Sequence, residues 1–168
     1  MNQIIEKDVL RILSKVDISK LKNKKILITG SNGLIGTYII AALYFADKNY
    51  GLNLKTIGIS KNAPNDILSE IKDSDNVTLN QGNLAEEFKF DEKVDYIIHA
   101  ATYAQPAKFL ENKIETIKLN TITTESLLEK CKIDGASLLF IRSSEIYVQA
   151  EKIPTPETYN GNCSTIYE

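Results

Sequence analysis

Apolar residues along this chain fall into two alternating patterns. Five short runs, Lys25 to Thr29, Lys55 to Ser60, Val77 to Gln81, Val94 to Ala100 and Ser137 to Arg142, contain apolar residues at successive positions. Such runs predict strands covered on both faces, as in a parallel sheet. Between them, apolar residues spaced by three and four predict helices over Leu34 to Ala46, Asn65 to Lys72 and Ile114 to Lys132, with a weaker turn near Ala85 to Phe90. Pro64 and Pro106 suit early helical or turn positions, and Asp134-Gly135 a turn feeding the fifth strand. Repeated strand, crossover, strand units predict a doubly wound α/β architecture: a parallel sheet of about five strands with helices on both sides.

Ahead of the first strand, Ile4, Ile5, Val9, Ile12, Leu13 and Val16 follow helical spacing with charges between them. Residues 1–24 therefore read as an amphipathic helix and lead-in, packed on a domain that spans 25–150. From 151 to 168 the chain is irregular, with Pro154, Pro156 and Gly161.

Composition narrows the choice of function. Of 168 residues 43% are apolar, enough for a real core, and 20 basic against 22 acidic residues give a formal charge of -2. No positive field is available for a nucleic acid. Two cysteines and one histidine predict neither a disulfide framework nor a metal site. No apolar run reaches the roughly 18 to 20 residues of a membrane span, and the start lacks the pattern of a secretory signal. The expectation is a cytoplasmic protein with no membrane partner.

The strongest motif, Thr29-Gly30-Ser31-Asn32-Gly33-Leu34-Ile35-Gly36, leaves the first strand and opens the first long helix. A strand that turns at once into a helix gathers free amides and the positive end of the helix dipole at one point, which suits a pyrophosphate. Gly30 permits the sharp exit, Gly33 clears the approach of the diphosphate, and Gly36 allows close packing of the helix. A tight turn selected for packing alone would use the same letters.

The spacing resembles the TGxxGxxG turn of the extended short-chain dehydrogenase/reductase family, in its NAD-dependent epimerase/dehydratase group. Further motifs fall in that family's order. Asn83-Leu84 is similar to the Asp-hydrophobic pair that contacts the adenine, and His99-Ala100-Ala101 to the H-x-A segment beneath the cofactor. Asn120 falls where the family carries a structural asparagine. The resemblance implies a Rossmann-like fold and cofactor contacts from Gly30, Asn32, Gly33, Leu34, Ile35, Gly36, Ser60, Lys61, Asn83, Leu84, Ala100, Ala101 and Thr102. Where an acidic residue would hold the ribose, the second strand ends in Ser60-Lys61. Lys61 is either a solvated loop residue or a partner for a 2'-phosphate, so NAD is the expected cofactor and NADP the alternative.

Arg142-Ser143-Ser144-Glu145-Ile146-Tyr147 is similar to the family's (S/T)-x-E-V-Y-G segment. The resemblance gives Ser143 the oxygen at sugar C4 and Glu145 the role of a proton-relaying carboxylate. It implies a nucleotide-sugar substrate modified through a 4-keto intermediate, by epimerisation, dehydration or decarboxylation. The Ser-Glu form and Pro156 to Asn162 look closest to the decarboxylases. No Tyr-x-x-x-Lys pair follows Asn162, while Tyr44 to Lys48 has that spacing on the wrong element. The 168 residues are thus expected to be the cofactor portion of such an enzyme, inactive alone and inclined to self-associate at an uncovered sheet edge. A non-catalytic dinucleotide-sensing module is the alternative. His99 is expected to be a packed residue, and Cys131 part of the core.

Overall fold

The computed structural model describes residues 3–86, 89–143, 147 and 152–159. Helix α1 (Gln3–Leu13) precedes strand β1 (Lys25–Thr29), α2 (Leu34–Tyr50) and β2 (Lys55–Ser60). The short helix α3 (Asp66–Ser69), β3 (Val77–Gln81) and β4 (Tyr96–His99) follow. Helices α4 (Pro106–Glu111), α5 (Lys113–Asn120) and α6 (Ile122–Asp134) then lead to β5 (Ser137–Phe140).

The five strands form one parallel sheet in the order β3-β2-β1-β4-β5. From the central β1 the chain winds outward through β2 and β3, then crosses back to place β4 on the other side. The carboxyl end of β1 is therefore the point where the winding reverses, and crevices open at such points.

Each strand feeds two cores, which is why its apolar residues run consecutively. Ile26 and Ile28 of β1 point to a core shared with α1, α2 and α3, while Leu27 points to one shared with α5 and α6. β4 divides likewise, Ile98 packing against the first core and Ile97 lying buried in the second. Thr29 is in register with both Ile59 of β2 and His99 of β4, so the strand ends align.

Helix α1 is amphipathic as expected, with Ile5, Val9 and Leu13 buried in the first core, whereas Ile4, Ile12 and Val16 are exposed. Beyond Ala46, α2 continues to Tyr50 and ends on Gly51 in the left-handed conformation, φ 58°. Helix α3 is shorter than its pattern, and Asn65 caps it by accepting from the Leu68 amide at 3.0 Å.

The single helix expected from Ile114 to Lys132 is two, broken at Thr121 (φ -122°, ψ -76°). Thr121 to Thr124 are four consecutive β-branched residues, and their hydroxyls make their own bonds. Thr121 Oγ1 donates to the Ile117 carbonyl at 2.7 Å, and Thr123 Oγ1 donates away from the helix to the Leu84 carbonyl at 2.7 Å. Strand β4 is shorter than its apolar run because side chains satisfy its entry. The Val94 amide donates to Asp134 Oδ2 at 2.9 Å, and Asp95 accepts from the Lys25 amide and from Lys24 Nζ.

Candidate functional site

The glycine turn is built around two backbone collisions that glycine avoids. Gly30 has φ +70°, and a Cβ there would lie 2.5 Å from the Ala100 carbonyl oxygen and 2.7 Å from the Ala101 amide nitrogen. A Cβ on Gly36 would strike the Gly30 carbonyl oxygen and sit 2.9 Å from Ser31 Cα. Gly36 thus packs against the turn itself rather than against the sheet.

Gly33 is different. Its φ of -76° suits any residue, and a Cβ would meet only the Gly30 carbonyl oxygen, at 3.3 Å. The fold constrains this position less than the other two, since a Cβ would need only a few tenths of an ångström of give from that one carbonyl. The Thr37 amide bonds to the Gly33 carbonyl at 2.9 Å as the first rung of α2. The amides of Leu34, Ile35 and Gly36 precede that ladder. A niche without a side chain beside three such amides fits a diphosphate.

An open cleft of about 540 Å³ starts at this turn and runs over the carboxyl ends of β1, β2 and β3. Gly30 forms its inner end, Ser60 and Lys61 one wall, and Asn83 and Leu84 another. Ala101 and Thr102 enter from the loop after β4. Seven of the thirteen expected cofactor residues therefore share one cleft. Ala100 stands just behind, pressed on Gly30.

Other expected side chains go elsewhere. Leu34 and Ile35 line a separate apolar groove with Ile12 and Tyr38, so only their amides face the turn's niche. The Asn32 side chain is spent on the loop after β2, donating to the Ala63 carbonyl at 2.8 Å and accepting from the Asn65 amide at 2.7 Å. Ser60 Oγ donates to the Asn62 carbonyl at 2.7 Å, and Asn83 Oδ1 accepts from the Ala85 amide at 3.2 Å.

Lys61 is not a free lysine. Its Nζ donates to Glu115 Oε2 at 3.2 Å and to the Tyr103 hydroxyl at 3.3 Å, while that hydroxyl donates to Glu115 Oε2 at 2.5 Å. Tyr103 and Lys61 hold the Glu115 carboxyl below its usual range, and Tyr103 and Glu115 hold the lysine above its own. Tyr103, Leu119 and Gly82 also line the cleft, and neither they nor Glu115 was legible as site residues. The only signal for Glu115 is a carboxylate one turn before Asn120, and helix charges of that kind are usually solvated.

His99 is fully buried and closed off by packing, as expected. Its Nε2 lies 2.9 Å from the Leu119 carbonyl, so Nε2 carries the proton, and Nδ1 accepts from Thr29 Oγ1 at 2.6 Å. Burial pushes its pKa down, partly offset by the Leu119 bond. The ring stacks on Phe140 at 5.1 Å and joins β1, β4, α5 and β5 beneath the cleft. Asn120 Nδ2 donates to Thr102 Oγ1 at 2.9 Å and to the Thr116 carbonyl, tying α5 to the cleft's loop.

Ser143 is exposed just beyond β5, at the carboxyl side of the sheet. Glu145 lies outside the described residues, as do Asn160 to Asn162 and Cys163. The Tyr147 and Tyr159 ring centroids lie 6.3 Å apart. Cys131 is buried in the second core, as expected. Among the described residues no group of His, Cys, Asp and Glu could hold a metal ion, and no helix is long and apolar enough to cross a membrane.

A parallel sheet wound from β1, with a side-chain-free niche at its first helix and a cleft over its strand ends, defines a protein of the Rossmann-like, dinucleotide-binding class. Residues 26–167 match the NAD dependent epimerase/dehydratase family, and the chain belongs to that family. It is 32% identical over 151 residues to UDP-glucuronic acid decarboxylase 1 of Xenopus tropicalis, covering 89% of this chain and 34% of that protein. Its fold is similar to epimerase Mth375 of Methanothermobacter thermautotrophicus, with TM-score 0.71, 20% identity, and coverage of 87% of this chain and 43% of the other. It is also similar to a double mutant of the dTDP-glucose 4,6-dehydratase DesIV of Streptomyces venezuelae, a structure with NAD and DAU bound. There the TM-score is 0.60 at 19% identity, over 76% of this chain and 42% of that one. The chain spans about a third of the length of the first curated relatives it matches.

Proposed function

We propose that this chain is the NAD-binding portion of a nucleotide-sugar-modifying enzyme, of the decarboxylating kind. The observation that carries the cofactor half is Gly33: a glycine that the fold demands less than Gly30 or Gly36, beside the amides of Leu34, Ile35 and Gly36. The likeness to UDP-glucuronic acid decarboxylases and the Ser144-Glu145 pair support decarboxylation.

In this reading the glycine turn holds the pyrophosphate, and Leu84, Ala101 and Thr102 wall the adenosine end. Bound NAD supplies a reversible hydride acceptor. Ser143 holds the sugar oxygen, its hydroxyl able to donate or accept as that oxygen changes from alcohol to ketone. Glu145 relays protons beside the sugar. The His99 network keeps β1, β4 and α5 in fixed register below the cleft. The domain spans 25–150, with α1 and its lead-in packed on it, and 151–168 begins the substrate-side part of the sequence.

Titration of the 168-residue chain with NAD, followed by calorimetry, tests the cofactor half. Saturable binding in the micromolar to millimolar range is the expected result, and no heat from a chain with a cooperative melt would overturn the reading. Because no Tyr-x-x-x-Lys pair follows Asn162 to lower a phenol pKa beside the nicotinamide, UDP-glucuronate turnover by the 168 residues alone is expected to be negligible. Appreciable product in a mass-spectrometric assay would contradict this.

A further inference from the structure

Two loops and one helix meet at the mouth of the cleft through Lys61, Tyr103 and Glu115. Lys61 comes from the end of β2, Tyr103 from the loop after β4, and Glu115 from the first turn of α5. Lys61 and Tyr103 line the cleft, and both are bonded to Glu115. The cation that could receive a phosphate at the adenosine end is thereby neutralised by a carboxylate that Tyr103 also holds.

Resting on the NAD reading above, we propose that Glu115 is a specificity-determining residue, which selects a dinucleotide with a free ribose 2'-hydroxyl by denying Lys61 to a 2'-phosphate. A 2'-phosphate adds close to two negative charges. To reach Lys61 it must displace Glu115 from the lysine and then sit beside that carboxylate, which the Tyr103 hydroxyl keeps in place. A 2'-hydroxyl carries no charge and meets no such barrier. Exposed ion pairs contribute little to folding, so a tie between a half-exposed lysine and a carboxylate about a third exposed has small structural value here. Its position at the cleft gives it an electrostatic one.

Glu115→Gln is the direct test, because the amide oxygen keeps an acceptor for the Tyr103 hydroxyl while the charge is lost. Binding of NAD and of NADP to the 168-residue chain and its variants is measured by calorimetry, with a thermal melt verifying each fold. The expected result is wild-type preference for NAD and, in E115Q, a rise of about tenfold in relative affinity for NADP. That gain should shrink as ionic strength rises. In E115Q combined with Lys61→Ala the gain should disappear, since the receiving cation is gone. Lys61→Gln alone leaves Glu115 charged and should lower relative NADP affinity further, which keeps the proposal testable where E115Q does not fold. A wild-type chain that binds both equally, or an NADP to NAD ratio unchanged within about twofold in folded E115Q that still binds NAD, would overturn the proposal. Loss of all dinucleotide binding in the wild type would instead sink the cofactor reading beneath it.

Discussion

Gly30 and Gly33 look alike in a motif, yet the backbone makes them opposites. Gly30→Ala forces a Cβ into the Ala100–Ala101 peptide in a left-handed conformation, so it should cost about 2 kcal/mol or more by urea unfolding. Gly33→Ala sits in ordinary conformational space and should cost no more than about 1 kcal/mol, while weakening NAD binding at least tenfold in the same titration. His99 adds a pH dependence whose sign follows from its lowered pKa. Its unfolded form binds a proton near pH 6.5 and the folded form binds one only at lower pH. Stability is therefore complete above about pH 6.5 and falls as pH drops toward the folded pKa; urea midpoints measured from pH 7.5 down to 5 should show that decline. Thr29→Val strips the acceptor Nδ1 of its donor and should cost about 1 to 3 kcal/mol at neutral pH.

At the scale of elements, consecutive apolar residues foretold both the parallel strands and the two cores that they share. Helix α1 was legible because Ile5, Val9 and Leu13 lie on one stripe, which is buried in the first core. Val9→Ala, which empties a fully buried position between α1 and α2, should cost about 2 kcal/mol in thermal or urea unfolding. The break between α5 and α6 was not legible. Threonine reads as a tolerated helix residue, and only the position of the Leu84 carbonyl reveals that Thr123 is bonded outside its own helix. That bond fixes the loop that brings Asn83 and Leu84 to the cleft.

For the whole molecule, β3 and β5 are the edges of the described sheet, and Leu139 on β5 is 54% exposed. A sheet edge favours pairing with another chain. Light scattering should show mass rising with concentration; a monomer at all concentrations would count against it. The cleft draws on the ends of β1, β2 and β3, the loop after β4 and the helix α5, which are separated by as many as 89 positions from Gly30 to Leu119.

Strand and helix periods, the order of alternation and the glycine turn are local properties, since side-chain spacing and backbone freedom act within a few residues. They determined the doubly wound fold, the place of the side-chain-free glycine turn and the buried fate of His99. Which side chains converge at the cleft mouth was decided by tertiary structure. Glu115 is 54 positions from Lys61, and only the winding of the sheet brings the two charges within 3.2 Å. The same winding turns Leu34 and Ile35 away from the cleft, and neighbouring loop bonds take up Asn32 and Ser60, because a polar atom bonds to whatever donor or acceptor the fold sets beside it.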